Sequence, residues 1–217
     1  MIVVNFKIYK EAFGENGVKL ARICRDMAKT SGVRIIVASP AIMAVELLKT
    51  GAEVFLQNYD EYDEGRFTGM ISAKQAMDLG IKGSLLNHSE NSKKKGTIFK
   101  TIKTSPEGFE TVLCVKSIGQ IEKWAKRTKA DFLAYEPKHL IASKTASVSS
   151  EQPGGIKRAV EASGGIPLLA GAGVKSGEDV KVALKMGAKG VLVASNVVCS
   201  KDPEKELKEL VKGFKLN

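Results

Sequence analysis

The chain predicts an α/β fold, a (β/α)8 barrel in a single domain spanning residues 1–217. Apolar Val/Ile/Leu runs alternate with helix-length stretches along the whole sequence, eight of each, and no linker or change of composition divides them. Three of the runs also end on reactive side chains. Ile2-Val3-Val4 leads into Asn5-Phe6-Lys7, Ile81 to Leu86 into Asn87-His88-Ser89-Glu90, and Phe132-Leu133-Ala134 into Tyr135-Glu136-Pro137. In a closed parallel barrel all strand C-termini share one rim, so residues far apart in sequence converge there. The alternative, a doubly wound open sheet, usually has fewer strands and opens on a Gly-x-Gly-x-x-Gly turn, which this sequence lacks.

Taken in order, the first strand run is 2–5, followed by a helical stretch at 15–30; the second pair is 33–38 and 41–49. Val33-Arg34-Ile35-Ile36-Val37-Ala38 is nearly continuous in apolar residues, as expected of a parallel strand covered on both faces. The third unit is 53–57 with 72–79, closed by Gly80 in a left-handed cap. In the fourth, 82–87 with 93–103, Gly96, Pro106 and Gly108 interrupt the helical pattern, and the shortness of the chain is expected to fall there and in the fifth, 110–115 with 117–128. The sixth pairs 131–135 with 151–163, ending at Gly164-Gly165. The seventh pairs 166–170 with 176–186, where Ser176-Gly177-Glu178-Asp179 reads as a capped helix start with first-turn acids and Gly187 closes the helix. The eighth, 189–194 with 203–213, repeats the buried-strand pattern in Gly190-Val191-Leu192-Val193-Ala194.

Composition narrows the function. The hydrophobic and charged fractions, 43% and 27%, are those of an ordinary folded globular protein. The longest apolar run, Ile35 to Val45, is broken by Ser39 and Pro40, too short for a membrane span. Asn5 and Lys7 arrive before any signal-peptide core could form, so the expected location is cytoplasmic. Three cysteines without paired spacing argue against a disulfide framework or zinc site, and two histidines against a histidine-rich metal site. The net charge of +10 invites a nucleic-acid reading. Yet the basic residues are dispersed over Lys93-Lys94-Lys95, Lys123 to Lys129 and Lys201 to Lys215, without an aromatic stacking platform. Solvated helix faces account for them better, and a positive field also speeds encounter with a small anion.

A cation, an imidazole and a carboxylate on one rim are equipment for moving protons beside an anionic, carbonyl-bearing substrate. Singly the residues say little: a glutamate before proline is usually a loop charge, an isolated lysine a surface charge, and a Gly-Ala-Gly turn a packing corner. Seven segments occur in a fixed order, however: Asn5-Phe6-Lys7, Gln57-Asn58, Thr68-Gly69, Asn87-His88-Ser89-Glu90, Glu136-Pro137, Gly171-Ala172-Gly173 and Ala194-Ser195. On these the chain resembles the triosephosphate isomerase family, a TIM-barrel family, in its compact archaeal form, over nearly its whole length.

The resemblance implies an isomerase without cofactor or metal, interconverting dihydroxyacetone phosphate and glyceraldehyde 3-phosphate through an enediolate. It implies a small phosphorylated triose as ligand and a homodimer or homotetramer, with no membrane or nucleic-acid partner. Glu136 would be the base, shuttling a proton between adjacent carbons once water is excluded. His88 would polarise the carbonyl. Ser89-Glu90 read as a helix start whose amides favour a neutral imidazole, and that pairing of a glutamate base with a neutral histidine is the family's own known pattern. Lys7, held by Asn5, would face the phosphate and the developing enolate. Glu90 reads equally as an accessory carboxylate near that lysine or as a first-turn helix acid.

Phosphate would lie against Gly171, Gly173, Ala194, Ser195 and Asn196, the usual phosphate position of the fold, and against the lid residues Ile141 and Ala142. Two departures stand out. The lid tip reads Ile141-Ala142-Ser143-Lys144-Thr145 in place of a Gly-Thr-Gly-like tip, and Asn196 replaces a glycine, as a residue that tolerates left-handed geometry. The rival readings are another phosphate-binding barrel enzyme, such as a synthase or epimerase, and a basic non-enzymatic barrel that binds RNA or a protein.

Overall fold

The computed structural model describes residues 1–137 and 153–215. Eight parallel strands close into a barrel in sequence order, the last pairing back onto the first. They are β1 (Ile2–Asn5), β2 (Ile35–Ser39), β3 (Glu53–Leu56), β4 (Gly83–Leu86), β5 (Glu110–Val115), β6 (Phe132–Tyr135), β7 (Leu168–Ala170) and β8 (Gly190–Val193). The helices are α1 (Gly14–Ser31), α2 (Ala41–Leu48), α3 (Ala73–Asp78), α4 (Lys95–Thr104), α5 (Ile118–Ala125), α6 (Pro153–Ala162), α7 (Gly177–Lys185), α8 (Ser195–Val198) and α9 (Pro203–Lys212). No helix among the described residues is long and apolar enough to cross a membrane.

The apolar runs divide by parity into two cores. Val3, Ile36, Phe55, Leu85, Ala134, Leu169 and Leu192 cluster inside the barrel. Their chain neighbours, including Ile2, Val4, Ile35, Val37, Val54 and Leu133, join the outer core with the helices. A strand with both faces buried has no polar alternation to show, hence the continuous runs in the sequence. The helices meet the outer core along single stripes. α1 buries Leu20, Ala21, Cys24 and Met27, and α9 buries Leu207, Leu210 and Val211 while Lys205, Lys208 and Lys212 stay exposed. The C-terminal lysines are therefore a solvated helix face.

Helix ends follow local chemistry. The predicted cap at α7 is a full capping box: Ser176 Oγ accepts from the Asp179 amide, and the Asp179 carboxylate accepts from the Ser176 amide. Two expectations about the fourth unit need correction. α4 begins at Lys95, so Ser89 and Glu90 form a turn rather than a helix start, with Asn91 N–H donating to His88 O at 2.8 Å. Gly96 lies inside α4 and does not break it; the packing of Ile98, Thr101 and Ile102 against the barrel overrides its poor helix propensity.

The opposite end of the barrel is tied by one arginine. Arg34 donates through Nε and Nη2 to Glu53, at 2.6 Å for the shortest bond, and through Nη1 and Nη2 to Glu110, again 2.6 Å at the shortest. The bonds to Glu53, then to Glu110, push its pKa further up. One guanidinium thus joins β3 and β5 through the residue just before β2. Replacing Arg34 by Met leaves two carboxylates facing each other. A loss of about 1–3 kcal/mol is expected in urea unfolding, between that of an exposed pair and that of a broken buried one, because the Arg34 side chain remains 35% exposed. Unchanged stability would show that the network holds nothing.

Candidate active site

The inward register continues past the strand ends. Two residues beyond Val3 is Asn5 and two more is Lys7; beyond Ala134 comes Glu136, beyond Leu169 Gly171, beyond Leu192 Ala194 and beyond Phe55 Gln57. Where the apolar interior ends, the same parity delivers polar side chains to the rim. Ladder bonds keep that register: Glu136 N–H donates to Val115 O at 2.8 Å and Gly171 N–H to Tyr135 O at 2.9 Å.

Lys7 has a left-handed backbone, φ 47°, unusual for a lysine. Asn5 Oδ1 accepts its amide proton at 3.0 Å, and Gln57 Nε2 donates to its carbonyl at 3.0 Å and to Ala38 O at 3.1 Å. Asn5 thus fixes the Lys7 main chain. The ammonium is met by Glu90 Oε1 at 2.5 Å, so Glu90 is an ion-pair partner and not a first-turn helix acid.

His88 and Glu136 are both buried, Glu136 to 3% exposure. The Glu90 amide donates to His88 Nδ1 at 3.3 Å, which assigns that nitrogen as an acceptor and places the proton of a neutral ring on Nε2. His88 Nε2 lies 3.2 Å from Glu136 Oε1. The other Glu136 oxygen is buried without a hydrogen-bonding partner among the described residues. Cys114 adjoins this carboxylate; burial first, then the charge of Glu136 and a hydrogen bond to it, push the thiol well above its usual range. It stays a neutral S–H.

On the facing wall, Gly173 adopts φ 66°, a conformation glycine enters freely. Gly171 is glycine for another reason: a Cβ there would lie 2.7 Å from Glu136 Cγ. Asn196 corrects the sequence expectation. It is helical, within α8, and not left-handed, and its side-chain amide donates to Lys175 O at 3.2 Å. One cavity of about 130 Å³ is lined by Asn5, Lys7, His88, Glu136, Gly171, Gly173, Ala194, Ser195 and Asn196. Glu90 lines the adjoining cleft with Lys7 and Gln57. Ile141 and Ala142 lie outside the described residues. Tyr9 and Lys175 also line the cavity; sequence reasoning passed over both. Lys175 carried a signal, two positions beyond the glycine turn, while Tyr9 carried none.

Fold and site together define a (β/α)8 barrel with a buried carboxylate–imidazole pair at its C-terminal rim and a glycine turn beside it. The sequence profile of triosephosphate isomerase matches residues 1–213, and the chain belongs to the triosephosphate isomerase family. Among its relatives named triosephosphate isomerase, that of Thermoplasma volcanium is 40% identical over 216 residues, 97% of this chain and 99% of the relative. That of Methanothermus fervidus is 39% identical over 218 residues, covering 97% of each. That of Methanocaldococcus jannaschii is 37% identical, covering 98% and 99%.

The crowding at Gly171 is testable. Gly171→Ala must displace Glu136 or the β7 end, so thermal unfolding should report a loss of about 1–3 kcal/mol, as for an overpacked core. Unaltered unfolding, with Glu136 in place in a crystal structure of the variant, would refute the close-approach argument.

Proposed function

We propose that the protein interconverts dihydroxyacetone phosphate and D-glyceraldehyde 3-phosphate by proton transfer at the cavity just described. The observation that carries this is the 3.2 Å contact of His88 Nε2 with Glu136 Oε1, both buried, in a cavity walled by Gly171–Gly173 and Ala194–Asn196. Family membership supports the same activity.

Glu136 takes a proton from C1 of the ketose. The C–H electron pair becomes the C1–C2 π bond, and the carbonyl pair moves onto the C2 oxygen. There the Nε2–H of His88 and the ammonium of Lys7 meet the developing negative charge. Returning the proton to C2, with the hydroxyl proton passing from O1 to O2, yields the aldose. The second Glu136 oxygen, without a hydrogen-bonding partner among the described residues, is the one available to take the proton.

Glu136→Gln tests the reading in a coupled assay with purified triose phosphates. kcat should fall by about 10²–10⁴, the usual contribution of a general acid–base group, while inorganic phosphate still competes for the site. Retention of more than roughly a tenth of wild-type turnover, outside that range, excludes Glu136 as the base.

The reading extends to a cytoplasmic homo-oligomer. Ile8 and Ile42 stand 92% and 82% exposed, with Phe13, Phe67 and Met70 also in water, which favours a self-associating surface. Light scattering should give a multiple of the 23.3 kDa chain mass; a monomer at micromolar concentration would overturn this part of the proposal.

A further inference from the structure

Lys175 stands two residues beyond Gly173 and lines the same cavity as His88 and Glu136. Its main chain is fixed from both sides. Its amide donates to the Asp179 carboxylate at 3.1 Å, and its carbonyl accepts from the Asn196 side chain at 3.2 Å. The second bond ties the turn after β7 to the turn after β8, so the Lys175 stem issues from the seam between the two walls that frame the anion end of the cavity.

At the tip, the ammonium nitrogen is shielded from solvent and has no hydrogen-bonding partner among the described residues. Three other partly buried cations meet carboxylates: Lys7 that of Glu90, Lys93 that of Asp60, and Arg34 those of Glu53 and Glu110. An ammonium carries three donors and no acceptor, and its burial without a partner opposes folding. Such a group is retained where a ligand brings the missing acceptors.

We propose that Lys175 is the cation that selects the phosphate dianion of the substrate, an inference that rests on the isomerase reading of this cavity. The positive charge of Lys7 is already offset by Glu90 at 2.5 Å, whereas the Lys175 ammonium makes no ion pair among the described residues. Lys175 therefore supplies the net charge opposite a phosphate seated on the Gly173 and Ser195 turns. It lies on the binding side of the reaction: it holds the group that does not react, and so favours phosphorylated over unphosphorylated trioses without moving a proton.

The test uses the full chain with Lys175→Met, Lys175→Gln and Lys175→Arg. In both neutral variants the KM for dihydroxyacetone phosphate and the Ki of inorganic phosphate should rise together by about tenfold or more, the scale of a lost hydrogen bond to a charged group, with kcat nearly unchanged. The arginine variant should recover most of the phosphate affinity. The rise in melting temperature that inorganic phosphate gives the wild type should be clearly smaller in both neutral variants. Methionine keeps the stem and removes a shielded charge, so the ligand-free variant should melt no lower than the wild type. Wild-type phosphate affinity in either neutral variant, or a fall in kcat with KM unchanged, overturns the proposal. Should the wild type fail to isomerise while its phosphate-induced stabilisation still depends on Lys175, the isomerase reading falls and the role of Lys175 as an anion-binding cation stands.

Discussion

Closing eight parallel strands on themselves satisfies every strand edge and leaves each strand one row of side chains facing a narrow interior. That interior is filled by Val3, Ile36, Phe55, Leu85, Ala134, Leu169 and Leu192, with no room for a polar group lacking a partner. Polar side chains of the same parity must wait until the barrel opens. Asn5, Gln57, Glu136 and the Gly171 position all occur two residues beyond the last inward apolar residue of their strands. The site is thus the continuation of the core's own geometry past the point where apolar packing ends.

The two barrel ends handle charge differently. At the N-terminal end, one arginine satisfies two glutamates through several short bonds. At the C-terminal rim, satisfaction is partial. Lys7 is paired with Glu90, but Glu136 keeps one oxygen, and Lys175 its ammonium, without a hydrogen-bonding partner among the described residues. Buried polar groups that fold without partners are costly to retain. Two such charged groups beside one small cavity mark where the molecule accepts lower stability for binding and chemistry.

Rigid local bonds hold these groups in position. The unusual φ of Lys7 is maintained by Asn5 and Gln57, and that of Asn87 (61°) by side-chain bonds to Cys114 O and from the Lys93 amide. Glu136 is held by the strand ladder behind it, by Cys114 beside it, and by the absence of a side chain at Gly171. Strain at such positions persists only where the surroundings over-determine it, and here each has at least two anchors.

Much of this was legible in the sequence. Eight strand runs and eight helical stretches follow from hydrophobic periodicity, capping residues and turn glycines, because local pattern and burial point to the same answer. The ordered motifs named Lys7, His88 and Glu136, since a strand end is recognisable from the run before it. Tertiary structure decided what depends on contacts between distant segments. The tautomer of His88 is set by one turn amide, because α4 begins only at Lys95. Glu90 is committed to Lys7, 83 residues away in sequence, and Arg34 to Glu110, 76 residues away. Asn196 is helical and its side chain bridges to Lys175, and Gly171 is glycine because Glu136 lies against it. Periodicity records which face of an element is buried; it carries no information about which charge on another element will reach that face. That pairing exists only once the barrel has closed.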